Sequence, residues 1–239
     1  MTRRAGKTTL RILSAGAAQS VAERIAAQVA SETGCEVKAD YGAVGAMKAR
    51  VLGGEPVDVV ILSAPLIEEL AVSGHIADGS QRHLGTVGTG VAVRAGTPLP
   101  DVSDTRVLRG NMLAANAIAC PDPSVATAGR IVLRAVELLG IGEVRARMRF
   151  FPNGYAAMSW LAQSRGPLEM GLTQNTEILA NKGVTYVGPL PEELQMKTVY
   201  TAGLAAKARN PYDAKEFITR LIAPAARTMF QAAGYEFKD

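Results

Sequence analysis

Hydroxyl, amide and small residues recur in this chain at the junctions between apolar runs and helical patterns. The first is Ser14-Ala15-Gly16-Ala17, directly after Leu10-Arg11-Ile12-Leu13. A strand that breaks into small residues and then a helix leaves unpaired backbone N–H groups at the helix start, which is a site for an anion. The Ser14 hydroxyl could add a donor, or serve only as a helix N-cap. Tyr41-Gly42-Ala43-Val44-Gly45 repeats the arrangement, and so does the run from Pro121 through Asp122, Ser124, Ala126 and Thr127 to Arg130. Phe151-Pro152-Asn153-Gly154-Tyr155 is a fourth such turn, and Gly171-Leu172-Thr173-Gln174-Asn175-Thr176 a fifth. Polar but uncharged groups of this kind suit an anion held through hydrogen bonds rather than by fixed counter-charges.

Catalytic motifs are absent: the chain carries no Gly-x-Ser-x-Gly, no Walker loop, no HExxH and no dinucleotide fingerprint. If the protein is an enzyme, Glu177, Asp122 and Tyr155 are the candidate acids or bases. His75 and His83 are the only histidines and Cys35 and Cys120 the only cysteines, with no zinc spacing among them, so no metal is expected. Cys120 sits in an apolar strand and reads as a core residue rather than half of a disulfide. No cofactor is implied.

The 239 residues are 48% hydrophobic and 20% charged, with a net charge of +4, enough chain for one large core or two smaller lobes. Basic residues are scattered apart from Arg3-Arg4 and Lys7, and aromatics make up 5%, which argues against nucleic acid as a partner. Apolar runs are strand-sized, so no membrane insertion is expected. No apolar h-region follows the charged start before Leu10; the chain is periplasmic if a leader has been removed and cytoplasmic if Met1 is its native start.

Periodicity predicts strands over 10–13, 36–41, 57–62, 86–94, 117–120, 148–151, 169–173, 185–187 and 200–206. Helical patterns fall at 18–31, 46–52, 65–73, 128–139, 155–163 and 213–222. Such alternation predicts α/β architecture with mostly parallel sheets and a ligand at the carboxyl ends of the strands. The Gly-punctuated run from Leu84 to Ala95 reads as a strand crossing between two lobes, with Gly188-Pro189-Leu190-Pro191 as the return. The lobes would be 1–86 with 195–239, and 87–194.

In order, these pieces resemble the molybdate-binding type of periplasmic solute-binding protein. The likeness runs from Leu13-Ser14-Ala15-Gly16-Ala17 through Tyr41-Gly42-Ala43 to the segment from Gly53 to Ala64. That segment, with Pro56, Asp58 and Ser63, looks like the family's G-x-P-x-D-hydrophobic-S-A motif. Asp122-Pro123, Gly129-Arg130 and Gly171-Leu172 continue it. The resemblance implies a type II binding fold, two α/β lobes joined by two crossing strands and closing on a small oxyanion or carboxylate. It implies ligand contacts from Ser14, Ala15, Gly16, Ala43, Val44, Gly45, Ser63, Ala126, Thr127, Asn153, Gly154, Thr173 and Gln174. The implied protein partner is the membrane component of an ABC transporter.

Two positions depart from the family pattern: Ala43-Val44-Gly45 lacks the usual serine, and Gln174 stands where the family has tyrosine. A buried oxyanion needs its donors, which turns the expectation away from molybdate and towards a carboxylate. Gln174-Asn175-Thr176-Glu177-Ile178 and the segment Gly188 to Gln195 look closer to a branch acting on small organic acids, aconitate isomerase among them. The alternative function is therefore a cofactor-independent isomerase that shifts an allylic proton, with Ser14, the Ala43 to Gly45 amides, Thr127 and Arg130 holding carboxylates.

Overall fold

A computed structural model describes residues 8–237. The chain forms two five-stranded sheets. The first has the order β2-β1-β3-β10-β4, from β1 (Thr9–Ala15), β2 (Glu36–Gly42), β3 (Val59–Ser63), β4 (Arg82–Val87) and β10 (Thr198–Leu204). The second has the order β7-β6-β8-β5-β9, from β5 (Thr89–Arg94), β6 (Ala117–Pro121), β7 (Met148–Phe151), β8 (Glu169–Gln174) and β9 (Val184–Pro189).

Three strands of each sheet are parallel: β1 pairs with β2 and β3, and β6 with β7 and β8. The crossing strands supply the antiparallel part. β10 lies between β3 and β4, and β5 between β8 and β9. The expected single strand over 86–94 is two strands parted at Gly88, where the chain leaves one sheet for the other. It returns between β9 and β10. Gln195 fastens that return by accepting from the Thr89 N–H (2.9 Å) and donating to the Thr89 carbonyl (2.8 Å).

Helices follow the parallel strands. A 3-10 turn (Gly16–Ala18) leads into α1 (Gln19–Thr33), and α2 (Val44–Leu52) and α3 (Ala64–Val72) follow β2 and β3. In the second lobe α5 (Thr127–Leu138), α6 (Gly154–Gln163) and the short α7 (Asn175–Leu179) follow β6, β7 and β8. Periodicity misses α4 (Thr105–Ala114), and it misses α9 (Pro224–Ala232) beyond α8 (Pro211–Leu221). The apolar face of α4 rests on only two fully buried side chains, Leu108 and Met112.

Each sheet is covered on both faces, so its central strands are buried throughout, as in Val59–Ser63. Phe217 of α8 and Phe230 of α9 are wholly buried in the first core. Cys35 lies in that core and Cys120 in the second, both as free thiols. Burial pushes the Cys120 thiol up to about 12, which makes it inert. Asp58, expected within a strand, instead precedes β3 and is 1% exposed. Its carboxylate accepts from the N–H groups of Arg11 (2.8 Å), Arg209 (2.7 Å) and Asn210 (3.0 Å), tying β1 to the start of α8. Arg3, Arg4 and Lys7 lie outside the described residues.

Candidate functional site

The carboxyl ends of the two sets of parallel strands face each other across one cleft between the lobes. It is lined from the first lobe by Ala15, Gly16, Ala17, Gly42, Ala43, Val44 and Tyr200. From the second come Pro121, Ala126, Thr127, Ala128, Asn153, Gly154, Gln174 and Glu177. These lining residues include no Lys, Arg or His.

Helix starts from both lobes meet at the cleft. An α-helix starts with N–H groups that have no intrahelical acceptor. Elsewhere Asp104 caps α4 by accepting from Val107 N–H at 2.8 Å, while α3, α8 and α9 also lack a side-chain cap but carry proline in the first turn, which removes one donor, and the 3-10 helix Gly142–Arg147 is uncapped. At the cleft only α6 has a side-chain cap, Asn153 accepting from Ala156 N–H at 2.9 Å. The 3-10 turn leading into α1, and α2 and α5, have Ala15, Ala43 and Ala126 at the capping position and no side-chain acceptor. Their donors and positive dipole ends are left facing the space between the lobes.

The lobes meet closely. Gly45 N–H, in the first turn of α2, donates to the carbonyl of Val125, in the loop before α5, at 2.9 Å. A Cβ on Gly45 would come within 2.8 Å of that oxygen, so only glycine allows the approach. The cleft then holds about 20 Å³, room for one water and less than an organic acid needs. A larger hollow of about 500 Å³ lies at the far end of the second lobe, lined mainly by apolar residues such as Leu99 and Pro167, where no helix starts converge.

Glu177 is the one ionisable carboxyl in the cleft, and it is 6% exposed. Its Oε2 accepts from Thr173 Oγ1 at 2.5 Å, with the N–H groups of Gln174 and Gly154 also directed at the carboxylate. A Cβ on Gly154 would overlap both Glu177 Oε2 and Thr173 Oγ1. Burial outweighs these hydrogen bonds and pushes the Glu177 carboxyl up to about 7. Burial also holds Tyr155 and Tyr200 neutral well above the ordinary phenol range, with the Glu177 charge adding to it. Gln174 donates from Nε2 to Thr198 Oγ1 at 3.4 Å, and its Oε1 has no partner among the described residues.

Of the residues named from sequence, the cleft gathers Ala15, Gly16, Ala43, Val44, Ala126, Thr127, Asn153, Gly154, Gln174 and Glu177. Others stand behind or beside it. Ser14 is wholly buried and its hydroxyl donates to the carbonyl of Ala15 at 3.0 Å. Gly45 joins the lobes, Thr173 holds Glu177, and Ser63 is a buried residue at the end of β3. Tyr155 packs beside Gly16. Asp122 turns its carboxylate to Ser124 N–H (2.8 Å) and Oγ (2.7 Å), which holds its pKa low and leaves it ionised. Arg130 is exposed and donates to the Thr127 hydroxyl and the Pro123 carbonyl. Tyr200 escapes sequence reasoning because it comes from the returning strand, with no turn motif to mark it. Among the described residues no cluster of His, Cys, Asp or Glu could hold a metal, and no helix is long and apolar enough to cross a membrane.

Two α/β lobes linked by two crossings, with strand ends and helix starts facing one cleft, define a two-lobed solute-binding protein of the periplasmic type. The chain belongs to the bacterial extracellular solute-binding protein family, which matches residues 10–236. Aconitate isomerase of a Pseudomonas species is 28% identical to it over 235 residues, covering 95% of this chain and 87% of its own. The molybdate-binding protein ModA of Escherichia coli is 23% identical over 236 residues, covering 98% of this chain and 90% of its own. The periplasmic molybdate-binding protein of Azotobacter vinelandii has the same fold, with a TM-score of 0.80, 23% identity, and coverage of 96% of this chain and 100% of that one.

Proposed function

We propose that this solute-binding protein captures a small organic carboxylate between its lobes, the ligand taking the place of the side-chain caps that α1, α2 and α5 lack. The observation that carries this reading is the absence of acceptors at Ala15, Ala43 and Ala126. Donors spread over helix starts from both lobes suit carboxylates borne at intervals on a carbon skeleton. With the Ser14 hydroxyl engaged by the Ala15 carbonyl and no hydroxyl at Ala43 to Gly45, the focused donor shell that a tetrahedral metal oxyanion needs is thinner here. The lobes, 1–86 with 195–239 and 87–194 in their described parts, would swing apart at Gly88 and at 190–197 to admit the ligand. Export to the periplasm and delivery to the membrane component of an ABC importer complete the proposal, supported by the family's extracellular character.

Thermal unfolding against molybdate, tungstate, sulfate, citrate, cis-aconitate and trans-aconitate tests it. A ligand at a hundred times its Kd adds about 2.7 kcal/mol. That corresponds to a rise of roughly 5–10 °C for a chain of this length. Stabilisation by the metal oxyanions alone would overturn the carboxylate reading.

A second reading is favoured by Glu177 and by the isomerase relative. A buried carboxylate in the cleft with its pKa near neutrality can take a proton from one end of an allylic unit and return it at the other. The C–H bond breaks, the proton passes to Glu177, the double bond migrates, and the same proton forms the new C–H bond. NMR of cis-aconitate incubated with the protein tests this: growth of trans-aconitate signals, abolished in Glu177→Gln, supports it, and an unchanged spectrum excludes it.

A further inference from the structure

The two oxygens of Glu177 are treated differently by the fold. Oε2 is held by the Thr173 hydroxyl and lies against Gly154, within the second lobe. Oε1 points to the other lobe, where a Cβ on Gly16 would lie 2.6 Å from it. Gly16 opens the uncapped turn that leads into α1, so Oε1 faces the region where an anion would be held.

No cation near Glu177 offsets a negative charge there; the hydrogen bonds from Thr173, Gln174 and Gly154 stabilise it only in part. Tyr155 of α6, Tyr200 of β10 and Tyr235 near the C-terminus are the ionisable groups whose titration feels it, and all three are neutral phenols. Tyr186 on β9, which packs against α7, is neutral as well. Glu23 and Tyr41 lie beyond Tyr155 and add no cation. On the neighbouring strands Arg94 and Glu169 are both engaged with Ser164 at the opposite end of the sheet. The 3-10 turn of Gly16 to Ala18 bears no charge. An anion drawn in by the helix starts would meet an ionised carboxylate in a space with room for about one water, a repulsion that protonation turns into a donated hydrogen bond.

We propose that Glu177 is neutral in the liganded protein and donates its O–H from Oε1 to the bound anion, so that each anion captured brings one proton with it. This rests on the capture reading above and adds the regulation of that site: affinity falls as pH rises. Above neutrality the loss approaches tenfold per pH unit, or roughly fiftyfold between about pH 7 and about pH 9. The effect runs opposite to the isomerase reading, in which Glu177 must start ionised to take a proton from carbon.

Calorimetric titration of the intact protein with trans-aconitate, and separately with molybdate, at about pH 8 in two buffers of different ionisation enthalpy tests this directly. Both anions are fully ionised there, so any proton taken up comes to the protein. Uptake of close to one proton per anion in the wild type is the expected result. Glu177→Gln should bind with an affinity that no longer varies with pH and with no proton uptake. Binding by the wild type without proton uptake would overturn the proposal while leaving capture intact, and this arm does not depend on the variant folding. A pH slope that persists in Glu177→Gln would also overturn it. If neither anion produces heat or thermal stabilisation at any pH, the capture reading itself fails.

Discussion

The N–H of Gly45 in one lobe donates to the carbonyl of Val125 in the other at 2.9 Å, and this backbone contact closes the cleft over its helix starts. It joins α2 to the loop before α5, so the two uncapped helices are brought together by a bond that uses one donor and leaves the others free. Gly45→Val would force atoms into the 2.8 Å gap and prevent the lobes from meeting. The combined loss of the hydrogen bond and the overpacking is of order 1–3 kcal/mol. Ligand affinity should therefore fall about 10- to 100-fold with little change in unfolding temperature of the free protein. Titration calorimetry beside small-angle scattering checks this; the variant should stay extended when trans-aconitate is added.

Supplying a cap should have opposite effects on stability and binding. Ala126→Asp places a carboxylate where α5 has no side-chain acceptor. A good cap is worth about 1 kcal/mol, and its charge complements the helix dipole. The free protein should unfold a few degrees higher and lose anion binding, because the new carboxylate occupies the donors and repels the ligand. Unfolding scans with and without trans-aconitate read both at once.

Glu177 gives the free protein a pH dependence of defined sign. Its pKa rises from the model-compound value of 4.5 to about 7 on folding, so the native state holds a proton that the unfolded chain gives up. Stability is fully present below about 4.5 and is lost as pH rises towards 7, by about 3 kcal/mol in all. Glu177→Gln should remove that loss and be the more stable protein at pH 8. Denaturant unfolding of both proteins at several pH values checks it.

Asp58 is the buried carboxylate on which the first lobe depends. Asp58→Ala strands three backbone donors, those of Arg11, Arg209 and Asn210, and should cost about 3 kcal/mol or more. Asp58→Asn keeps one acceptor oxygen and should cost less. Chemical denaturation gives the difference.

Much of this site is legible in the sequence because its donors belong to the backbone. Ala15-Gly16, Ala43-Val44, Ala126-Thr127 and Asn153-Gly154 announce themselves as small-residue breaks between a strand and a helix, and that local pattern alone sets where their N–H groups point. Side-chain direction is another matter. Ser14 reads as a ligand hydroxyl, but whether it faces the cleft depends on its rotamer, and the fold gives it the Ala15 carbonyl instead. The Gly45–Val125 bond joins residues eighty positions apart, and Tyr200 arrives on an antiparallel strand inserted from the far end of the chain; neither leaves a local trace. Alternating strands and helices read as mostly parallel sheets, and the structure has them so, with β10 and β5 as the one strand of each sheet that runs the other way. Glu177 is named by its place after Gln174, but its near-neutral pKa comes from burial against Gly16 and Gly154, a tertiary property.

Backbone amide NMR tests the central claim most directly. On titration of the isotope-labelled protein with trans-aconitate, the amide resonances of Gly16, Val44, Thr127 and Ala128 should shift together and saturate at one ligand per chain. Those of Val107, already bonded to Asp104, should not move. Saturable binding that leaves the four cleft amides unmoved, or that shifts the residues around Leu99 and Pro167 instead, would contradict capture by the uncapped helix starts.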